Sequence, residues 1–360
     1  MKIRDRYIAK TLLTYTFIVL LVWLSVYSFF NFLTELDSVG NVDYTILEAV
    51  KYILLQIPDV TYRQASPIIL LGCVLGIGHL ATTGQLIIFR VCGISVLRIT
   101  WLVLKNALIF IIFIITIGEF LAPMLINYAE SERASALGQN SLSNNQEGFW
   151  IRDGNNFINV NTNVNGELFT GITIIEINSS NKIERVIKSE NANFDENSLK
   201  MFNADIFSIN EANKFENISL KERNLYDKTV AFDQVLIDSL EKEPRDLSTL
   251  TIIKQVKFLS DNQLRAEIFE LELYKRLVSP LTLIAMILMA MLFIFGSPRD
   301  ITLGRKIFFG AALGLSFELL SRVNAAIALS FEFNPLFSSI MPSIIIIFIS
   351  MVFLIQKSMG

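Results

Sequence analysis

Along this chain, long apolar stretches alternate with polar ones on a length scale set by a lipid bilayer. Leu12 to Leu33 runs 22 residues without Asp, Glu, Lys or Arg, Gln64 to Phe89 runs 26, Leu277 to Pro298 runs 22 and Phe333 to Gln356 runs 24. A bilayer core takes about 20 apolar residues of helix to cross, so each stretch predicts a span. Asn106 to Ala129 is interrupted only by Glu119, and Ile307 to Phe331 only by Glu318 and Arg322, which adds two more. The pattern therefore predicts six spanning helices, three on either side of a polar insert. Tyr44 to Pro58 is apolar but carries Glu48 and Lys51, and predicts an amphipathic lead-in to the second span.

The insert has a different period. Gly148 to Val160 gives two short β runs around an Asp153-Gly154-Asn155-Asn156 turn, and Gly171 to Asn178 ends at a further Asn/Ser turn. Further strands are expected at 183–190, 201–209, 218–221 and 229–232. Short strands between Asn-rich turns predict an inserted all-β domain of sandwich or jelly-roll type. From Leu247 the pattern turns helical, and 260–276 predicts a charged amphipathic approach to the fourth span. The expected fold is an α-helical polytopic membrane protein of 3 + 3 helices. Its parts are a membrane half at 1–129, a β-domain at 130–260 and a second membrane half at 261–360.

Composition sharpens this picture. Hydrophobic residues make up 52% of the 360, and the net charge of −3 conceals a partition. Residues 127–272 hold 15 Lys/Arg against 24 Asp/Glu, while the remainder holds 16 against 10. The acidic insert offers no basic face for nucleic acid. Orientation follows from Lys and Arg in short loops. Lys2, Arg4, Arg6 and Lys10, then Arg90 and Arg98, then Arg299, Arg305 and Lys306, and finally Lys357 fall on one side of a six-span topology. Glu35, Asp37, Asp43, Glu332 and the insert fall on the other. Both termini are expected inside and the β-domain outside.

Candidate chemistry is sparse. The two cysteines, Cys73 and Cys92, lie in or beside apolar segments, which excludes a disulfide framework. One histidine, His79, excludes a multi-histidine metal centre or a Ser-His-Asp triad. No GxxxxGK[ST] pattern occurs, so any ATP and Mg would be used by another chain. The loop after span two, from about 81 to 93, is a short amphipathic helix between Gly84 and Gly93. It is either an interfacial connector or a helix that docks into a cytoplasmic ATPase. In the docking reading Gln85, Leu86, Ile87, Phe89 and Arg90 are the contacts, with Leu86, Ile87 and Phe89 as anchors. Glu318 and Arg322 stand four apart within a span. They are either a polar wall for an amphiphilic headgroup or a self-satisfied pair. Glu119, a turn before Pro123, is expected to snorkel or to pair helices, and His79 to be interfacial.

Several stretches resemble the lipopolysaccharide-export permeases LptF and LptG, of ABC-transporter type. They are Asp5-Arg6-Tyr7-Ile8-Ala9-Lys10-Thr11, Gly118-Glu119-Phe120-Leu121-Ala122-Pro123, Gly148 to Phe157, and Phe293-Ile294-Phe295-Gly296-Ser297-Pro298-Arg299. The Trp-x-x-Asp-Gly-Asn-Asn-Phe segment looks like the LptG branch. The resemblance implies a bacterial inner-membrane permease subunit that extracts lipopolysaccharide from the outer leaflet and passes it to a periplasmic bridge. It implies an LptF-like partner, a dimer of an LptB-like ATPase, an LptC-like single-span jellyroll protein, and no cofactor on this chain. The segment 81–93 matches the coupling helix, with Gly84-Gln85 where Ser-Glu is usual. Asn31, Asp37 and Ser38 stand where some relatives have lysines facing lipopolysaccharide phosphates, and Arg133 and Arg299 match family arginines. The substrate and cavity candidates are Asn31, Arg133, Glu318 and Arg322. Two other readings remain open at this level, a membrane scaffold whose β-domain binds a periplasmic partner and, more distantly, an ion-coupled transporter.

Overall fold

The computed structural model describes residues 3–138, 149–164, 168–178, 182–195, 198–210, 217–230, 232, 236, 242–296, 303–331 and 333–359. Arg299 and Glu332 lie outside them. Two compact units emerge, one from residues 1–39, 45–130 and 270–360 and the other from 40–44 and 131–269.

The first unit is helical. Its elements are α1 (Ile3–Glu35), α2 (Ile46–Arg63), α3 (Ala65–Thr82), α4 (Gln85–Val91), α5 (Val96–Thr116) and α6 (Ala122–Ala136), the last two joined through a π-helical turn at Ile117–Leu121. After the β-domain come α8 (Glu267–Gly296), α9 (Leu303–Ser330) and α10 (Pro335–Met359), while α7 (Thr249–Asp261) belongs to the second unit. Six of the helical stretches are long and apolar enough to cross a membrane. The third differs from the sequence expectation in where it begins. It starts at Val96, so Arg98 and Lys105 lie inside the helix, and Ser95 caps it by accepting from Arg98 N–H at 3.3 Å. The expected approach at 260–276 is likewise two elements. α7 ends at Asn262, Gln263 takes a φ of 55°, and α8 starts afresh at Glu267.

The centre of this unit is α3, whose Ile68, Leu70, Val74 and Ile77 are wholly enclosed. Leu12 of α1 and Gly310 and Gly314 of α9 lie against it, and the same apolar core takes in Ile8 of α1, Val103 and Ile111 of α5, and Met286 and Ala290 of α8. By contrast α1 shows Val26, Phe29 and Phe30, and α10 shows Phe348 and Ile349, on exposed faces. In water such faces would be untenable, and in lipid or against another helix they are what the sequence requires.

The second unit carries six antiparallel strands paired in sequence order: β1 (Phe149–Asp153), β2 (Asn156–Val164), β3 (Leu168–Ile177), β4 (Ile183–Asp195), β5 (Ser198–Asn210) and β6 (Asn217–Thr229). This is the inserted β-domain. By pairing it is one sheet, and a corner folds that sheet over on itself. The registers skip a line of positions, Asn161, Gly171, Glu190, Asn203 and Asn224, one on each of β2 to β6. Gly171 takes φ 65° and Asn203 φ 51°, and a side chain on Gly171 would meet Asn161 Nδ2 at 2.6 Å.

Across that line the inward face changes phase. The buried residues are Phe169 and then Ile172 and Ile174 on β3, Ile187 and then Ala192 and Phe194 on β4, and Met201 and then Ala204 and Ile206 on β5. An unbroken strand would bury one parity throughout. The fold-over brings non-neighbouring strands together. Lys228 of β6 reaches both Glu176 of β3 and, at 3.3 Å, Asn156 of β2. Its core is aromatic, with Phe194 stacked on Phe232 at 5.8 Å and Phe258 of α7 edge-on to Phe232 at 6.3 Å.

Candidate functional site

The segment expected to couple to an ATPase forms the short helix α4, closed in by Gly84 and Gly93, both at positive φ. Its inward and outward faces differ from the sequence expectation. Leu86 is 5% exposed and belongs to the helical core, and Phe89 packs half-buried on the same core. The exposed apolar side is Ile87, Ile88 and Val91, at 46%, 60% and 83%, with Arg90 beside it. The reason is local. Seven residues, Gln-Leu-Ile-Ile-Phe-Arg-Val, are apolar on nearly every side, so no period dictates which side turns in. Gln85 Oε1 is buried without a hydrogen-bond partner among the described residues. It faces inward and does not stand out as a surface acceptor.

Each cavity candidate is engaged by neighbours of its own. Glu318 and Arg322 bond to each other at 2.9 Å along α9, the self-satisfied arrangement. Asn31 of α1 donates to Gln56 of α2 at 3.5 Å. Arg133, in the second unit, lies over the ring of Tyr44 at 6.0 Å, and Tyr44 is almost fully buried. The Asp43 N–H donates to the Ala136 carbonyl at 3.1 Å, so residues 40–44 are held against the end of α6. Arg133 thus sits beside an aromatic face at the outer limit of cation–π distance. His79 packs against Tyr15 with ring centroids 5.3 Å apart. Among the described residues no three His, Cys, Asp or Glu side chains cluster as metal ligands.

A polar junction that the sequence reading did not assemble sits where three apolar runs end. Tyr62 closes α2, immediately before α3. Glu119 lies in the π-turn after α5, and Arg276 stands in α8 just before its charge-free run. The Tyr62 phenol donates to Glu119 Oε1 at 3.1 Å. Arg276 and Ser279 of α8 lie alongside the same phenol. Arg276 is 8% exposed and donates to Glu272 at 3.3 Å, while Arg63 donates to the buried Asp59 at 2.7 Å. The π-turn, closed by Ala122 N–H to Ile117 O, inserts one residue into the helix and rotates the residues beyond it. Gly118 lets the Tyr62 ring lie directly on the backbone, for any Cβ there would overlap it.

Glu119 therefore pairs helices, one of its two sequence expectations. Arg276 and Tyr62 were missed because they are distant in sequence. The available signal was a repeated spacing, since Glu119 precedes Pro123 by four residues and Arg276 precedes Pro280 by four.

Known proteins are similar to this chain along nearly its whole length. The family model described as lipopolysaccharide export system permease LptF/LptG matches residues 6–356. The lipopolysaccharide export system permease protein LptG of Escherichia coli strain K12 is 27% identical over 359 residues, covering 98% of both chains. The protein of the same name from Haemophilus influenzae is 26% identical over 346 residues, 95% of each.

Proposed function

The chain belongs to the LptF/LptG family of lipopolysaccharide export permeases, and from that premise we propose that it is one permease subunit of an ABC exporter. In this reading it extracts lipopolysaccharide from the outer leaflet of the inner membrane and passes it to a periplasmic bridge. The observation that carries the reading is a family match running through both helical sets and the β-insert alike, in a chain with six apolar helices. Family and helices make it a multi-pass inner-membrane protein. The loop charges favour cytoplasmic termini and a periplasmic β-domain.

The exposed apolar faces of α1 and α10 suit lipid and an LptF-like partner permease. ATP and Mg then belong to an LptB-like ATPase dimer below, since this chain has no phosphate loop. The ATPase docks on the Ile87, Ile88 and Val91 side of α4, with Arg90 as a polar contact. Gln85 contributes no ion pair, so apolar burial supplies most of the affinity. An LptC-like single-span protein completes the assembly.

Arg133 is the cation best placed outside the apolar runs to meet a lipid A phosphate. A guanidinium keeps its charge at any physiological pH and binds phosphate bidentately. The Glu318–Arg322 pair is already internally neutralised, and its charge is spent.

Affinity purification of the tagged chain from membranes tests the proposal. Recovery of a cytoplasmic ATPase and a second permease supports it. A chain recovered with periplasmic partners alone would be a scaffold.

A further inference from the structure

We propose that the Tyr62–Glu119–Arg276 junction is a polar latch at a level where each of three helical segments carries a proline, and that the Tyr62–Glu119 hydrogen bond opens and recloses during each export cycle. This rests on the export reading above.

Three observations carry it. The first is the cost of the groups used. A permanently closed joint is as well made from packed apolar side chains, since burying charge and hydroxyl is repaid only by its partners. Here a phenol, a carboxylate, a guanidinium and a serine hydroxyl meet at one spot.

The second is backbone compliance at the same level. Pro58 stands four residues before Tyr62, Pro123 four after Glu119 and Pro280 four after Arg276. Each proline removes one N–H from the ladder of its own helix and favours a bend there. The π-turn at Ile117–Leu121 adds a fourth irregularity. All three helices entering the junction are softened within one turn of it.

The third is a second partner for the phenol. Ser279 Oγ is buried alongside Tyr62, close enough to exchange a hydrogen bond with its phenol, and has no other partner among the described residues. A small rotation hands the phenol from Glu119 to Ser279. The latch can then open without leaving the hydroxyl of Tyr62 stranded away from water. Two discrete arrangements separated by a small motion are what a switching element needs.

The test locks the latch shut. A Cβ at Gly118 falls directly against the Tyr62 side chain, so cysteines at the two positions meet, and a small backbone adjustment brings them to the separation a disulfide takes. Gly118→Cys with Tyr62→Cys, in a Cys92→Ser background, is assembled with its partner permease and ATPase in proteoliposomes containing lipopolysaccharide. Oxidised and reduced samples are compared for ATP-dependent release of lipopolysaccharide to a soluble periplasmic acceptor. The latch predicts a loss of about tenfold on oxidation relative to the reduced double variant, reversed when the disulfide is reduced, with the complex intact in both. Equal export by the oxidised and reduced forms overturns it.

If the double variant does not assemble, Tyr62→Phe decides. That variant keeps the packing and removes the hydroxyl, and the latch predicts a change of about threefold in lipopolysaccharide released per ATP hydrolysed. An unchanged ratio overturns the proposal. The parent chain runs in parallel. No export by the parent sinks the export reading itself, whereas export surviving the disulfide sinks only the latch.

Discussion

The phenol of Tyr62 reaches Glu119 at 3.1 Å across a separation of 57 residues. This one bond ties the end of α2 to the π-turn between α5 and α6, and it depends on a glycine next to the carboxylate. A methyl group on Gly118 has nowhere to go except into the Tyr62 ring.

Gly118→Ala is therefore expected to destabilise the helical unit by about 1–3 kcal/mol, the usual cost of overpacking. The cause is steric, so Gly118→Ala with Tyr62→Ala should lose less than the sum of the two single variants. Thermal melting of the purified chain in detergent measures all three. A double variant as unstable as the sum would show that ring and glycine are independent.

In the β-domain Gly171 answers to two constraints, a positive φ and the side chain of Asn161. Gly171→Ala is predicted to cost about 1–3 kcal/mol through strain. Adding Asn161→Ala relieves the contact but not the dihedral, so rescue is partial. Amide hydrogen exchange on β2 and β3 reads the effect locally, and full rescue would assign the whole cost to the contact.

Docking of an ATPase on α4 should follow exposure more closely than hydrophobicity. Ile88→Arg and Val91→Asp are expected to abolish recovery of the ATPase at equal membrane expression, because each removes an exposed apolar contact. A large interface anchor is worth about 2 kcal/mol or more. Leu86→Ala instead leaves a cavity in the helical core and lowers chain stability by about 2–5 kcal/mol. ATPase recovery that survives Ile88→Arg and Val91→Asp together would make α4 a connector.

Sequence and structure agree where a physical rule acts over a contiguous stretch, and part company where it does not. The charge-free runs mark the spanning helices because each buries its own backbone bonds and needs only length. The third span starts earlier than its charge-free run because Arg98 and Lys105 lie within the helix, where long stems carry their charges outward. β4 and β5 are longer than the alternation suggested. The apolar phase of β4 resets at Glu190, so that strand looks like a short one followed by a loop, while β5 extends the expected 201–209 by three residues at its start and one at its end. Which way α4 faces was not legible, since apolar residues surround it. The junction at Tyr62, Glu119 and Arg276 was illegible for another reason. Its members lie in three separate helices, and only the matching four-residue offsets to Pro123 and Pro280 hinted that two of them share a level.

Arg133 gives a prediction about substrate. Its guanidinium lies 6.0 Å from the centre of the Tyr44 ring. Arg133→Glu should weaken photocrosslinking of lipopolysaccharide to the chain while the complex still assembles, and Arg133→Lys should restore much of it. Identical crosslinking by the parent and Arg133→Glu would reduce Arg133 to a structural partner of Tyr44.

The central claim is that this chain exports lipopolysaccharide as a permease subunit driven by a separate ATPase. The most direct measurement is reconstitution of the chain with its partner permease, the ATPase and the single-span partner in liposomes containing lipopolysaccharide, followed by ATP-dependent transfer to a soluble acceptor. The account predicts transfer that requires both ATP and this chain. Transfer at the same rate with this chain omitted, or none with every component present, would contradict it.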